Sequence, residues 1–387
     1  MSKQIYKRIY LDHNATTPLA PEVRDAMFDV MKNHPGNPSN SYMEGIAARQ
    51  IVDNARKSVA KLLNCEAGNI IFEGSGSEAN NHVLKSIASA NIKNKNHIIT
   101  SSIEHPSVLN VCRWLEKNGV KVTYLQVDRS GRINPDDLSS AITKRTCLAS
   151  VMLANNETGV IQPIKELAAI AKENGALFHT DATQAIGKIP VDVKKLGVDL
   201  MSLSAHKFYG PKGIGALYVR KGIAIEPLIH GGGQENGLRA GTENVIHIAG
   251  LGMASELACK NLPQMKQVKA FRDKLEKEII KLFTGAKLNG DKKLRLPNTI
   301  SINLPRLIGA SMVTALDKKG IAISAGSACH SGSSKPSGIL LAMGLTEEEA
   351  HCTIRISLGI GNTAKDIDSA VKAFKEIINN RKNSVRA

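Results

Sequence analysis

Between about residue 67 and residue 225, short β-branched or apolar runs alternate with stretches in which apolar residues recur every three or four positions. That alternation predicts repeated βαβ units around a mostly parallel sheet. Strands are expected at 69–72, 97–101, 120–125, 148–153, 176–179, 200–203 and 214–218. Between two of them, Ile164, Leu167, Ala168 and Ala171 share one helical face behind Pro163, a residue that a first helical turn tolerates.

Further along, residues 262–283 read as a long charged helix with an apolar stripe, and a second domain begins near there. Its expected parts are a strand at 298–304, a helix at 310–318, a strand at 322–323, a Gly/Ser-rich loop at about 324–338, a strand at 353–357 and a last helix starting near Asp366. No internal repeat or low-complexity tract interrupts the pattern.

A chain of 387 residues with 42% hydrophobic content can bury more than one core, so length adds two or three domains to this picture. No apolar run reaches the roughly 18 residues of a membrane span, and the first residues lack an apolar signal core. A cytoplasmic protein is expected. The six cysteines form no C-x-x-C pair, which predicts neither a metal site nor a disulfide framework. The net charge of +16 favours acidic or anionic partners. Its densest run, 260–295, interleaves Asp273, Glu276 and Glu278 with lysines as an exposed helix face does, and no nucleic-acid-binding motif accompanies it.

Open α/β sheets bind ligands outside the carboxyl ends of their strands, and here those positions are polar. They carry Glu73-Gly74-Ser75-Gly76-Ser77-Glu78, Glu104-His105-Pro106, Asn155-Asn156-Glu157-Thr158-Gly159, Asp181-Ala182-Thr183-Gln184 and Ser204-Ala205-His206-Lys207. Each alone has a plain structural reading: a turn, a helix cap, a hydrogen-bonded histidine, a surface charge. Together they offer an amine, a carboxylate and a phosphate-binding turn. Pyridoxal phosphate requires those three groups: Lys207 for its aldehyde, Asp181 for its pyridine nitrogen and the Gly76-Ser77 turn for its phosphate. The sequence has no G-x-x-x-x-G-K-[ST] loop, and Gly210, Gly213 and Gly215 precede a strand, which argues against nucleotide cofactors.

At this point the chain resembles the cysteine desulfurases of the NifS/IscS type, within the class V aminotransferase-like, fold-type I pyridoxal phosphate enzymes. The resemblance runs almost end to end, through Tyr10-Leu11-Asp12-His13-Asn14-Ala15-Thr16-Thr17-Pro18, Gly36-Asn37-Pro38-Ser39, Arg239-Ala240-Gly241-Thr242-Glu243-Asn244, Ser327-Ala328-Cys329 and the strand-end motifs. It implies a large cofactor domain at 15–261 with a mostly parallel seven-stranded sheet flanked by helices. A smaller α+β domain, 1–14 with 262–387, would carry the catalytic cysteine loop. By the same resemblance Lys207 forms the Schiff base and moves the proton, Asp181 pairs with the ring nitrogen, His105 stacks on the ring and Gln184 contacts its hydroxyl. Gly76, Ser77, Ser204 and His206 hold the phosphate, with Thr242 reaching it from a second subunit of a homodimer. Arg355 and Asn155, with Asn37, fix the carboxylate of the substrate L-cysteine.

Cys329 sits in a stretch too polar and glycine-rich for a core strand, as an accessible thiol requires. The family match makes it the sulfur acceptor: its thiolate takes the substrate sulfur as a persulfide, alanine leaves, and the sulfur passes to an acceptor such as an iron–sulfur scaffold or a sulfur carrier protein. Three positions depart from the family pattern: Ser77 for a threonine, Tyr42 for a histidine, and Ile360 where a basic residue is usual. The alternatives are a selenocysteine lyase, a class V aminotransferase that would not need Cys329, and a catalytically silent scaffold.

Overall fold

The computed structural model of the chain describes residues 8–326 and 335–384. Cys329 and most of its loop lie outside the described residues.

Seven strands, β1 (Ile70–Glu73), β2 (His97–Ser101), β3 (Lys121–Leu125), β4 (Thr146–Ser150), β5 (Leu177–Asp181), β6 (Leu200–Ser204) and β7 (Gly215–Val219), form one sheet in the order β1-β7-β6-β5-β4-β2-β3. All run parallel except β7, which is antiparallel to both its neighbours. The expected strands are therefore present, with ends shifted by no more than three residues. Strand β4 stops at Ser150, yet the chain stays beside β5 through Val151 N–H to His179 O (3.1 Å) and Leu153 N–H to Asp181 O (2.9 Å).

Alternate residues of each strand enter different cores, as a sheet covered on both faces demands. Ile71, Ile98, Leu148, Leu200 and Leu217 pack under helices α3 (Gly76–Asn91) and α4 (Pro106–Lys117). Phe72, Ile99, Ala149, Phe178 and Leu203 face the other way, toward α1 (Pro21–Asn33), α2 (Met43–Leu63), α5 (Ile164–Glu173) and α6 (Val245–Asn261). The buried face of α5 consists of Ile164, Leu167, Ala168 and Ala171, the four residues its periodicity selects.

Helix α6 shows little apolar/polar patterning because it is wedged between α1 and α2. Its glycines mark the contact: a Cβ on Gly252 would sit 2.7 Å from Ala55 Cα, and one on Gly250 would sit 2.9 Å from Met27 Sδ. After a single 3₁₀ turn at Leu262–Gln264, the charged helix α7 (Met265–Leu282) follows.

A separate core joins Leu11 to residues of α7, α8 (Ala364–Ser384) and a four-stranded antiparallel sheet. This sheet contains β8 (Lys287–Leu288), β9 (Thr299–Asn303), β10 (Ser324–Ala325) and β11 (Thr353–Ser357), in the order β10-β11-β9-β8. Asn14 ties the two parts together. Its backbone N–H donates to Ser357 Oγ (2.9 Å), and its amide donates to Thr299 Oγ1 (2.9 Å) and Asn156 O (3.2 Å).

Candidate active site

The carboxyl ends of β1, β2, β4, β5 and β6 open on one cavity of about 320 Å³. Its lining includes Ser75, Gly76, Ser77, His105, Asn156, Asp181, Thr183, Gln184, Ser204, His206, Lys207 and Arg355.

Where β1 ends, Ser75 caps α3 by accepting from Glu78 N–H (3.0 Å). The N–H groups of Gly76 and Ser77 precede the intrahelical ladder and have no partner within it, the arrangement that binds anions at helix N-termini. The space there is narrow: a Cβ on Gly76 would lie 3.1 Å from Thr183 Oγ1 and 3.2 Å from Ser204 Cβ. Gly215 is tighter still, with a Cβ falling 2.6 Å from the Ser75 carbonyl carbon, so only glycine lets β7 pass beneath this turn.

At the end of β5, Asp181 accepts from Thr183 N–H (2.9 Å) and from Asn80 Nδ2 (2.8 Å). Both donors are neutral. His105 caps α4: its Nδ1 accepts from Ser107 N–H (3.1 Å), so the neutral ring carries its proton on Nε2. Burial, with Lys207 nearby, holds the imidazole below its ordinary pKa even though Asp181 acts in the opposite direction. Glu104, buried behind it, is pushed up to about 8 by burial against the donors Ser101 Oγ and Met152 N–H, with Asp181 pushing the same way.

Lys207 ends the short turn that follows β6, and its Nζ donates to Asn14 O (2.9 Å) and Ala15 O (2.6 Å). Thr17 grips this turn from outside, with its N–H on His206 O (2.9 Å) and its Oγ1 accepting from Tyr209 N–H (2.6 Å). His206 Nδ1 lies 3.1 Å from Thr16 Oγ1, and burial together with Lys207, Lys212 and Lys188 lowers its pKa to about 4.

The second core supplies the opposite wall. Arg355, 2% exposed, donates to Asp12 Oδ1 (2.7 Å), Ser324 Oγ (3.2 Å) and Asn156 O (3.1 Å). Its Nε is buried and has no hydrogen-bond partner among the described residues. Thr183 Oγ1, Asn80 Oδ1 and Asn156 Oδ1 are likewise buried without one, and all four residues line the cavity. Buried polar atoms are rarely left so, and their clustering here fits a ligand with several polar groups.

Three expected residues are placed elsewhere. Asn155 does not line the cavity: its Oδ1 accepts from Glu157 N–H and Thr158 N–H (both 2.9 Å), and its amide donates to Ile103 O (3.1 Å). It shapes the turn that Gly159 closes at φ +77°, and its neighbour Asn156 lines the cavity. Asn37 accepts from Ser39 N–H (3.0 Å) in a surface turn, and Thr242 is exposed, so neither lines the cavity of its own chain. Asn14, Asn80, Asn156 and Thr183 were not singled out from the sequence. Asn80 lies one helical turn after Gly76, and that spacing places it beneath Asp181.

The aminotransferase class-V family matches residues 9–370. The cysteine desulfurase IscS of Methanosarcina thermophila is 47% identical over 378 residues, covering 97% of this chain and 93% of that protein. Among solved structures, a NifS-like protein superimposes with a TM-score of 0.91 at 39% identity, over 96% of this chain and 99% of that one. A structure of SspA in complex with cysteine gives 0.81 at 38% identity, over 90% and 98%.

Proposed function

We propose that this chain, which belongs to the cysteine desulfurases of the class-V aminotransferase family, binds pyridoxal phosphate in the sheet-edge cavity and moves the sulfur of free cysteine onto Cys329. The observation that carries this reading is the meeting of Lys207, Asp181 and the N-terminal turn of α3 in one cavity. When bound, the cofactor supplies an aldehyde for the substrate amine and a ring that accepts electrons.

The residues divide the remaining work. Lys207 offers the amine that holds the cofactor and then carries the proton. Asp181, bonded to two neutral donors, would pair with a protonated ring nitrogen. Gly76, Ser77, Ser204 and His206 surround the phosphate. His105 presents a neutral imidazole, and Gln184 an amide N–H for the ring hydroxyl. Arg355, with its open Nε, and Asn156 in the place first given to Asn155, receive the carboxylate of cysteine. Asn37 and, from a second copy of the chain, Thr242 complete the site in a homodimer.

The thiolate of Cys329 attacks the substrate sulfur: an S–S bond forms as the C–S bond breaks, the electron pair stays with carbon, and a proton from Lys207 completes alanine. The persulfide then passes to an acceptor protein, for iron–sulfur clusters or other sulfur-containing products. We divide the chain into a cofactor domain, 15–261, and a smaller domain, 1–14 with 262–387, in line with the two separate groups of cores. We assign it to the cytoplasm, where the free cysteines at 65, 112, 147, 259 and 352 stay reduced. No helix among the described residues is long and apolar enough to cross a membrane.

The test is incubation with cysteine followed by mass analysis of the Cys329 peptide. One added sulfur atom, with alanine released in step, is expected; alanine release with no sulfur on that peptide would exclude the transfer.

A further inference from the structure

Lys188 is 6% exposed, does not line the cavity, and has no carboxylate within ion-pair distance among the described residues. Its Nζ donates instead to two neutral oxygens, Gln184 Oε1 at 2.6 Å and Asn14 Oδ1 at 3.2 Å. Burying an amine with no counter-ion is costly, so an unbranched apolar side chain would fill this place with less loss of stability. The position has a chemical use.

That use follows from donor and acceptor arithmetic. An amide side chain can turn over end for end unless its neighbours tell oxygen from nitrogen. Gln184 lies between a lysine, which here donates, and the main-chain oxygen of Asn14, which can only accept; its Nε2 reaches that oxygen at 2.9 Å. The pair fixes Oε1 toward Lys188 and leaves the second Nε2 hydrogen for the cavity, which Gln184 lines. Asn14 is held in the same sense, its Oδ1 shared by Lys188 and Asn298 Nδ2 (3.0 Å).

We propose that Lys188 is a positioning residue that locks the Gln184 amide with its N–H edge toward the cofactor's ring oxygen. The inference rests on the cofactor reading above and goes beyond it, since Lys188 acts only through Gln184. The charged and titratable groups around it are Lys207, Arg355, His13 and His206. Burial, with Lys207 and Arg355 nearby, pushes the lysine pKa well down, and the positioning rests on the hydrogen bond that its Nζ donates to Gln184 Oε1.

A methionine here would strand Gln184 Oε1, and the amide would rotate to recover a donor, withdrawing its N–H from the ring oxygen. Losing a donor raises the proton affinity of that oxygen. The experiment is pH titration of the visible absorption band after addition of pyridoxal phosphate, for wild type, Lys188→Met, Lys188→Gln, Gln184→Leu and the Lys188→Met/Gln184→Leu double variant.

Lys188→Met and Gln184→Leu should each raise the apparent pKa by about one pH unit, and the double variant should move no further than either. Lys188→Gln keeps an N–H donor without an amine and should titrate close to wild type. An unmoved titration in Lys188→Met, additive shifts in the double variant, or a full-unit shift in Lys188→Gln would overturn the proposal. The last arm stands alone if the methionine variant does not fold. Absence of a visible band in the wild type would instead overturn the cofactor reading itself.

Discussion

The two walls of the cavity handle charge in opposite ways. On the large-sheet side, Asp181 receives hydrogen bonds from an amide and a main-chain N–H, both neutral. On the other side, Arg355 is bonded to Asp12, whose second oxygen accepts from Ser324 Oγ (2.7 Å), so the cation is matched before any ligand arrives. The difference teaches what each wall is for. On the reading proposed above, a carboxylate held by neutral groups is left for a permanent cationic partner, whereas a paired guanidinium with one open N–H would accept and release an anion without being left buried and bare.

The sharpest break of this comparison is at Lys207. Lys207→Ala should abolish covalent retention of the cofactor and lower alanine formation from cysteine by about 10³-fold or more, because both the attachment point and the proton carrier are lost. Denaturing gel filtration of the loaded protein and a turnover assay read the two effects. A variant that still turns over within tenfold of wild type would remove the amine from the chemistry.

On the opposite wall the expected effect is smaller and of another kind. Arg355→Lys keeps a charge but loses the fork that spans Asp12, Ser324 and Asn156, so KM for cysteine should rise roughly tenfold to hundredfold with a lesser change in kcat. Unchanged KM would mean that this wall does not hold the substrate carboxylate.

How legible these walls were in the sequence differs for the same physical reason. The large-sheet wall is made of residues placed directly after predicted strands, so topology alone collects Lys207, Asp181, His105 and the Gly76 turn at one edge. The other wall joins Asp12, Ser324 and Arg355, more than three hundred positions apart at the extremes, through packing that no local pattern encodes. Adjacent identical residues were the other blind spot: Asn155 and Asn156 are chemically alike, and only the Asx-type turn sends one inward and the other to the cavity. Helix α6 shows the limit of periodicity, since a helix buried between two others and threaded with Gly250 and Gly252 lacks the amphipathic stripe that reveals α5.

The mildest test concerns the joint between the walls. Glu157 follows Asn156, is 6% exposed, and accepts from Ser337 Oγ at 2.5 Å. Burial pushes its carboxyl from 4.5 up to about 7, although Ser337 and Arg355 pull it down. The folded protein therefore holds this proton more tightly than the unfolded chain does. The stability so gained is complete below about pH 4.5 and is lost as pH rises to about 7. Glu104, pushed up to about 8, adds a loss of the same sign over a window reaching one unit higher. Glu157→Gln removes only the first share and keeps an oxygen for Ser337. Its Tm should exceed that of wild type by roughly 2–4 °C at pH 8 and match it near pH 4.5. Equal Tm differences at both pH values would show that Glu157 titrates alike in the folded and unfolded chain and is ionised beside Arg355 at pH 8, and the second wall would then carry two carboxylates against one guanidinium instead of a single matched pair.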